Sequence, residues 1–229
     1  MRPLFVALIA ALLLAGCGGK TEQPLSGPVA VLPQPASPGA VTSQGPTIVM
    51  LGDSLTAGFQ LPAGNALPAA LQRVFDDRAI PVKFVNAGVS GDTTADGLAR
   101  YEWSVKDAHA DLLVVALGAN DFLNELPAET PKKNLRSILQ KAKADSLPVA
   151  LIGVAMPGDS QDEREAAYAA IYPDLAKEFG VPYYANMLGP VAGRPDLLQD
   201  DRLHPTEKGV EAMADGIAGF LEPLVKDLT

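Results

Sequence analysis

A serine hydroxyl becomes a useful nucleophile only where a base can take its proton. The 229-residue chain holds two histidines. His204 lies in Asp200-Asp201-Arg202-Leu203-His204-Pro205, just before the last apolar-periodic segment. A carboxylate three positions ahead of a histidine, in a tight turn, can accept from the imidazole Nδ1–H. Asp201 would then set the tautomer and stabilise the imidazolium, as in a serine triad. The alternative for this stretch is a helix-entry turn capped by acidic residues. His109 lies in Lys106-Asp107-Ala108-His109-Ala110-Asp111, ahead of a strand, and reads as an ordinary surface residue. The serine with the best setting is Ser54. It follows the run Thr47-Ile48-Val49-Met50-Leu51, which ends abruptly in Gly52-Asp53-Ser54. A glycine, a carboxylate and a hydroxyl at the carboxyl end of a buried strand sit where open α/β sheets place their ligands. The other reading is a turn whose Asp and Ser cap the next segment.

Elements with the right periods surround these residues. The run from Thr47 predicts the first strand, and Val82–Val85 the second, followed by the glycine-rich turn Asn86-Ala87-Gly88-Val89-Ser90-Gly91-Asp92. Leu112–Leu117 is the third, wholly apolar and so central, and ends in Gly118-Ala119-Asn120-Asp121. Val149–Val154 and Val181–Tyr184 are the fourth and fifth. Helices are expected over 66–78, from Thr93 or Thr94 to about Val105, from Thr130-Pro131, over 162–179 with Pro173 as a kink, and over 206–224. Strands alternate with helices throughout. The expected fold is a three-layer α/β/α sandwich around a parallel sheet of about five strands. All strand ends then share one edge, which carries Ser54, Gly88 and Asn120 towards a single crevice.

Gly52-Asp53-Ser54-Leu55, Gly88, Gly118-Ala119-Asn120-Asp121 and Asp201-Arg202-Leu203-His204, in this order, resemble the four blocks of the GDSL or SGNH hydrolases. The resemblance covers about Thr47 to Leu224. Asn86 to Thr94 and Ala170-Ile171-Tyr172-Pro173-Asp174-Leu175-Ala176 are most similar to the thioesterase, lysophospholipase and arylesterase branch. The resemblance implies a flavodoxin-like fold, with Ser54 as nucleophile and His204 as base, then acid, oriented by Asp201. It also implies an oxyanion hole made of the Ser54 and Gly88 backbone N–H groups and the Asn120 side-chain amide. No metal or organic cofactor is implied. Asp53 and Asp121 are expected to shape their turns. The loop Phe122-Leu123-Asn124-Glu125-Leu126 is expected to wall an acyl pocket, opposite the stretch after Met156-Pro157. There the branch often has Asn-Tyr-Gly, whereas this chain has Asp159-Ser160-Gln161. Ala119 replaces a glycine common in the branch, a small change beside Asn120.

The amino-terminal segment reads as an export signal. Arg2 precedes an unbroken apolar run from Leu4 to Ala15. That run is shorter than the ~20 residues a spanning helix needs. It ends in Leu14-Ala15-Gly16-Cys17, which is similar to a bacterial lipobox. Residues 1–16 are therefore expected to be removed as a signal peptide and Cys17, the only cysteine, to be acylated. Residues 17–46 carry Pro24, Pro28, Pro33, Pro35, Pro38 and Pro46 and form a tether. Residues 47–229 form the hydrolase domain. Net charge is −9, which argues against nucleic acid as a partner. Two histidines and one cysteine leave no zinc set. A monomer held at the cell envelope by its lipid is the expectation, at the outer membrane in a Gram-negative source.

These features together predict a serine esterase that hydrolyses lysophospholipid, aryl or short-to-medium acyl esters, or thioesters, through an acyl-enzyme. Two alternatives stand beside it. One is an O-acetylesterase acting on envelope or extracellular polysaccharide. The other is a non-catalytic lipoprotein that uses the crevice only for binding.

Overall fold

The computed structural model describes residues 45–154 and 163–229, all within the unit Thr42–Thr229. In chain order the elements are β1 (Thr47–Gly52), α1 (Ser54–Ala57), α2 (Leu67–Asp77), β2 (Lys83–Gly88), α3 (Thr94–Ala99), β3 (Leu112–Ala116), α4 (Ala119–Leu123), α5 (Glu129–Ala144), β4 (Val149–Ile152), α6 (Glu163–Phe179), β5 (Tyr183–Tyr184) and α7 (Glu207–Lys226). The five strands form one parallel sheet in the order β2-β1-β3-β4-β5. This is a doubly wound α/β fold, and its strand order reverses between β1 and β3.

Alternation along β1 builds the two sides of the core. Ile48 and Met50 join α2 and α7 residues such as Leu71, Phe75, Met213 and Ile217 on one face. Val49 and Leu51 join Leu135, Ile138, Tyr168 and Leu175 from α5 and α6 on the other. Ile48 to Leu51 are fully buried. That explains why β1 reads as a continuous apolar run rather than an alternating one.

Three expectations shift. The second strand starts one residue later than its pattern suggested and runs three residues further, through Asn86, Ala87 and Gly88. They are not a turn: they pair with Met50, Leu51 and Gly52 of β1. The helix from Thr93 is short. Thr93 caps α3 through a reciprocal box with Asp96, and after Arg100 the chain passes into a π-helical segment, Glu102–Lys106. Phe122 and Leu123 lie on the short helix α4 instead of a loop. Asp121 anchors that helix by accepting from the Thr94 N–H at 2.8 Å and the Thr94 hydroxyl at 2.6 Å. Smaller shifts occur at α5, which starts at Glu129, and at β4 and β5, which are shorter than their apolar runs. The helix containing Pro173 spans Glu163–Phe179. The last helix starts at Glu207, with Thr206 as its cap accepting from the Gly209 N–H, and runs to Lys226.

Gly88 is required by packing. A Cβ there would overlap the backbone nitrogen of Ala57 and lie 2.9 Å from the Asp53 carbonyl oxygen. Backbone atoms cannot rotate away as a side chain can. Gly88→Ala, which keeps the backbone N–H, should therefore destabilise the domain by about 1–3 kcal/mol. Urea unfolding of wild type and variant measures this, and an unchanged midpoint would contradict the packing account.

Candidate active site

The site lies at the carboxyl ends of β1 and β3, beside the switch point. Ser54 is the first residue of α1, directly after the β1 turn. Asp53 caps that helix, with its Oδ1 accepting from the Leu55 N–H at 3.0 Å. Asn120 is on the first turn of α4, after β3. His204 comes from the segment before α7, which folds back on itself. Leu198 bridges Pro205, the Gln199 N–H donates to the His204 carbonyl at 2.8 Å, and the Gln199 amide donates to the carbonyls of Phe59 and Pro205. Arg202 takes φ +58° at the tip, which lets Asp201 and His204 face each other.

The sequence pair and the serine meet. His204 Nε2 is 2.8 Å from Ser54 Oγ, and His204 Nδ1 is 2.7 Å from Asp201 Oδ2. Asp201 Oδ1 accepts from the Leu203 and His204 N–H groups at 2.9 and 3.0 Å. Desolvation alone would raise the Asp201 carboxyl. The bonds from the His204 backbone and ring and from Leu203 outweigh it and hold the group down to about 2. Asp201 is thus an anion at neutral pH, and it orients the ring. The Phe59 ring lies 4.3 Å from the imidazole, centroid to centroid, and covers one side of it. His109 is remote, beside Lys106, Asp111 and Asp145 at the amino end of β3.

Of the residues expected to supply backbone and amide donors, Ser54 and Asn120 line one cavity, and Gly88 does not. The Gly88 N–H donates to Asn86 Oδ1 at 2.9 Å, and the residue is packed under α1. Gly91, three residues on, lines the cavity in its place. It has φ +90°, and its N–H has no protein partner among the described residues. A glycine was needed at both positions, for different reasons, and the Gly88-to-Gly91 spacing was the only hint of the second. One Asn120 Nδ2 hydrogen goes to the Asp92 carbonyl at 2.9 Å, leaving its second hydrogen available.

The cavity has a volume of about 220 Å³. Its walls are apolar: Phe122 and Leu123 from α4, with Leu55, Val154, Leu188 and Leu203. Phe122 and Leu123 therefore sit where the sequence reading put them, although on a helix. Met156 and Pro157 lie outside the described residues. Phe59, Leu188 and Val154 carry no motif, and nothing in the sequence singled them out.

The profile of the GDSL-like Lipase/Acylhydrolase family matches residues 50–212. The chain belongs to this family. Among its GDSL relatives, Thioesterase 1/protease 1/lysophospholipase L1 of Escherichia coli strain K12 is 37% identical over 179 residues, covering 78% of this chain and 85% of the relative. An arylesterase of Vibrio mimicus is 31% identical over 181 residues, covering 79% and 89%. The crystal structure of TesA superposes with a TM-score of 0.74 at 30% identity, covering 78% of this chain and 99% of that one. The GDSL membership makes the chain a carboxylic ester hydrolase of the serine type.

Asp53 beside the serine carries an electrostatic cost. Burial pushes its carboxyl up from 3.8 to about 6, against the pull of the Leu55 N–H and of His204. Its Oδ2 is buried without a partner among the described residues. A carboxyl raised in the fold stabilises it fully below the unfolded pKa, and that contribution is lost as pH rises through about 6. Asp53→Asn cannot ionise. Its melting temperature relative to wild type should therefore become more favourable between pH 4 and pH 7. A difference that stays constant across that range would show that Asp53 does not titrate there.

Proposed function

We propose that the chain hydrolyses esters of apolar acyl chains through an acyl-enzyme on Ser54. His204 takes the Ser54 proton as the oxygen attacks the ester carbonyl, and Asp201 stabilises the resulting imidazolium. The tetrahedral oxyanion accepts from the Ser54 N–H, the Gly91 N–H and the Asn120 amide. These are three donors aimed where charge develops rather than at the ground-state carbonyl. His204 then gives its proton to the leaving alcohol or thiol. In the second half it activates water, which attacks the acyl carbonyl, expels Ser54 Oγ and releases the acid. Gly91 takes the role first expected of Gly88, because the latter's N–H is already bonded within the ladder end.

One observation carries the reading: the 2.8 and 2.7 Å relay from Ser54 to Asp201 opens onto an apolar cavity. Phe122, Leu123, Val154 and Leu188 favour a hydrocarbon chain over the sugar rings around an acetyl group. Of the substrates that its relatives' names suggest, lysophospholipids and acyl thioesters present such a chain, and aryl esters present an apolar ring. The substrate range should therefore extend beyond acetate. With p-nitrophenyl esters from acetate upward, kcat/KM should rise towards medium or longer chains and vanish in Ser54→Ala. Activity confined to acetate would move the reading to polysaccharide deacetylation. Substantial activity in Ser54→Ala would remove the nucleophile assignment.

We infer from the amino-terminal sequence that the enzyme is held at the cell envelope. The basic start, the short apolar run and Leu14-Ala15-Gly16-Cys17 support cleavage before Cys17 and its acylation. The proline-rich residues 17–46 would tether the domain 47–229 in the periplasm or at the cell surface. Gly18, where an Asp often marks inner-membrane retention, favours the outer membrane in a Gram-negative source. The body is acidic, so attachment would rest on the acyl chains. Expressed with labelled fatty acid, the full chain should incorporate label and sediment with membranes. Cys17→Ser should do neither, and equal labelling of the two would exclude Cys17 as the acceptor.

A further inference from the structure

The three donors proposed for the oxyanion come from different parts of the chain, and one buried side chain ties their supports together. Arg100 follows α3 and is only 5% exposed. Its Nε donates to Asp92 Oδ2 at 2.6 Å, its Nη2 to the Gly52 carbonyl at 2.8 Å and its Nη1 to Ser104 Oγ at 3.1 Å. Two of these contacts, to Asp92 and to Gly52, bear on the donors. Gly52 ends β1, two residues before Ser54, and its carbonyl also accepts from the Val89 N–H at 3.1 Å. Asp92 is next to Gly91. The Asp92 carbonyl accepts from the Asn120 amide at 2.9 Å, on the far side of the crevice. The residues from Val89 to Asp92 belong to no strand, the Asp92 N–H closes the turn on the Val89 carbonyl at 3.1 Å, and Gly91 at φ +90° is held through its neighbours.

We propose that Arg100 is a positioning residue for ester hydrolysis: its guanidinium locks the β1 end, the Gly91 loop and the Asn120 seat in one register, fixing the oxyanion donors before substrate arrives. This rests on the reading of Ser54, Gly91 and Asn120 given above. The planar fork matters as much as the charge. A lysine would keep the positive charge beside Asp92 but cannot hold a carboxylate, a backbone carbonyl and a hydroxyl in fixed directions at once. Arg100 touches neither the cavity nor the Ser54–His204 pair. Its effect is therefore expected on transition-state stabilisation and not on substrate binding.

The test is a double-mutant cycle between Arg100→Lys and Asn120→Ala, read on a medium-chain p-nitrophenyl ester. Folding of each variant is checked by circular dichroism and melting. Arg100→Lys should lower kcat by about 10²-fold while KM moves by less than about threefold, because a misplaced donor is lost in the transition state and not in the ground state. In the double variant with Asn120→Ala, the combined loss should be far smaller than the product of the two single losses, since both act on one hole. A trifluoromethyl ketone, which forms a tetrahedral adduct, should lose affinity in parallel with kcat/KM. Should Arg100→Lys fail to fold, Asp92→Asn keeps the backbone carbonyl and removes the charge partner, and it should show the same split. Near-wild-type kcat in folded variants, a loss lying in KM, or fully multiplicative losses would overturn the proposal. Absence of Ser54-dependent hydrolysis in the wild type would overturn the reading of the site, and this assignment with it.

Discussion

Strand β1 has no solvent-facing side. Ile48 to Leu51 are buried on both faces, and the strand is paired on both edges, by β2 and β3. A strand held in this way cannot shift register, because every side chain would exchange one core for the other. Its carboxyl end is therefore a fixed point. Gly52, Asp53 and Ser54 emerge from it with their directions set by the ladder, and the rest of the site is arranged around that point. Parallel pairing then brings the ends of β2 and β3 to the same edge, which is why residues far apart in sequence meet there.

Fixing the chain in this way creates polar groups that must be satisfied without water. Most are. Asp121 accepts from Thr94 twice, Tyr172 donates to the Leu117 carbonyl, and Arg100 spends its donors on Asp92, Gly52 and Ser104. Asp53 Oδ2 and Thr56 Oγ1 are buried exceptions, and they flank the serine turn. Unpaired buried polar atoms are costly, and in functional proteins such costs concentrate near the reacting centre. Asp53 illustrates the compromise: its carboxyl caps the helix that presents Ser54, and its burial makes its ionisation unfavourable against the pull of the Leu55 N–H and His204.

The cavity extends the same logic to substrate choice. Its catalytic side is polar and tightly bonded, whereas the opposite walls come from residues whose types are hydrophobic and whose positions follow no motif. Leu123 is half exposed at the rim, and Phe122 packs edge-on against Tyr168, with Arg164 stacked over its ring. Phe122, Leu123, Val154 and Leu188 on the acyl side therefore lie outside the four blocks, and α6 supports that side through Tyr168 and Arg164 behind Phe122. Two members that share all four blocks can differ in the chains they accept.

The sequence by itself determined the alternation of elements, the parallel α/β fold, and the chemistry-bearing residues Ser54, Asp201, His204 and Asn120. Local rules sufficed for the elements and for bringing these residues to one strand edge, and the resemblance to the GDSL or SGNH blocks supplied the roles expected of them. Apolar period distinguishes strand from helix, a glycine marks a turn, and a carboxylate three residues before a histidine can meet it within one turn. Phe122 and Leu123 were placed beside the pocket on the same grounds, although their helix was missed because one short turn leaves no period to detect. Only the tertiary structure decided which glycine faces the crevice. The direction of the Gly88 N–H depends on β2 pairing with β1 as far as Gly52, a register that no local pattern encodes. The Arg100 bond to the Gly52 carbonyl, the Phe59 face on His204 and the Leu188 wall depend likewise on contacts between residues far apart in the chain. Sequence states what a segment prefers. Which donor points into a shared space is fixed only when separate segments have packed around it.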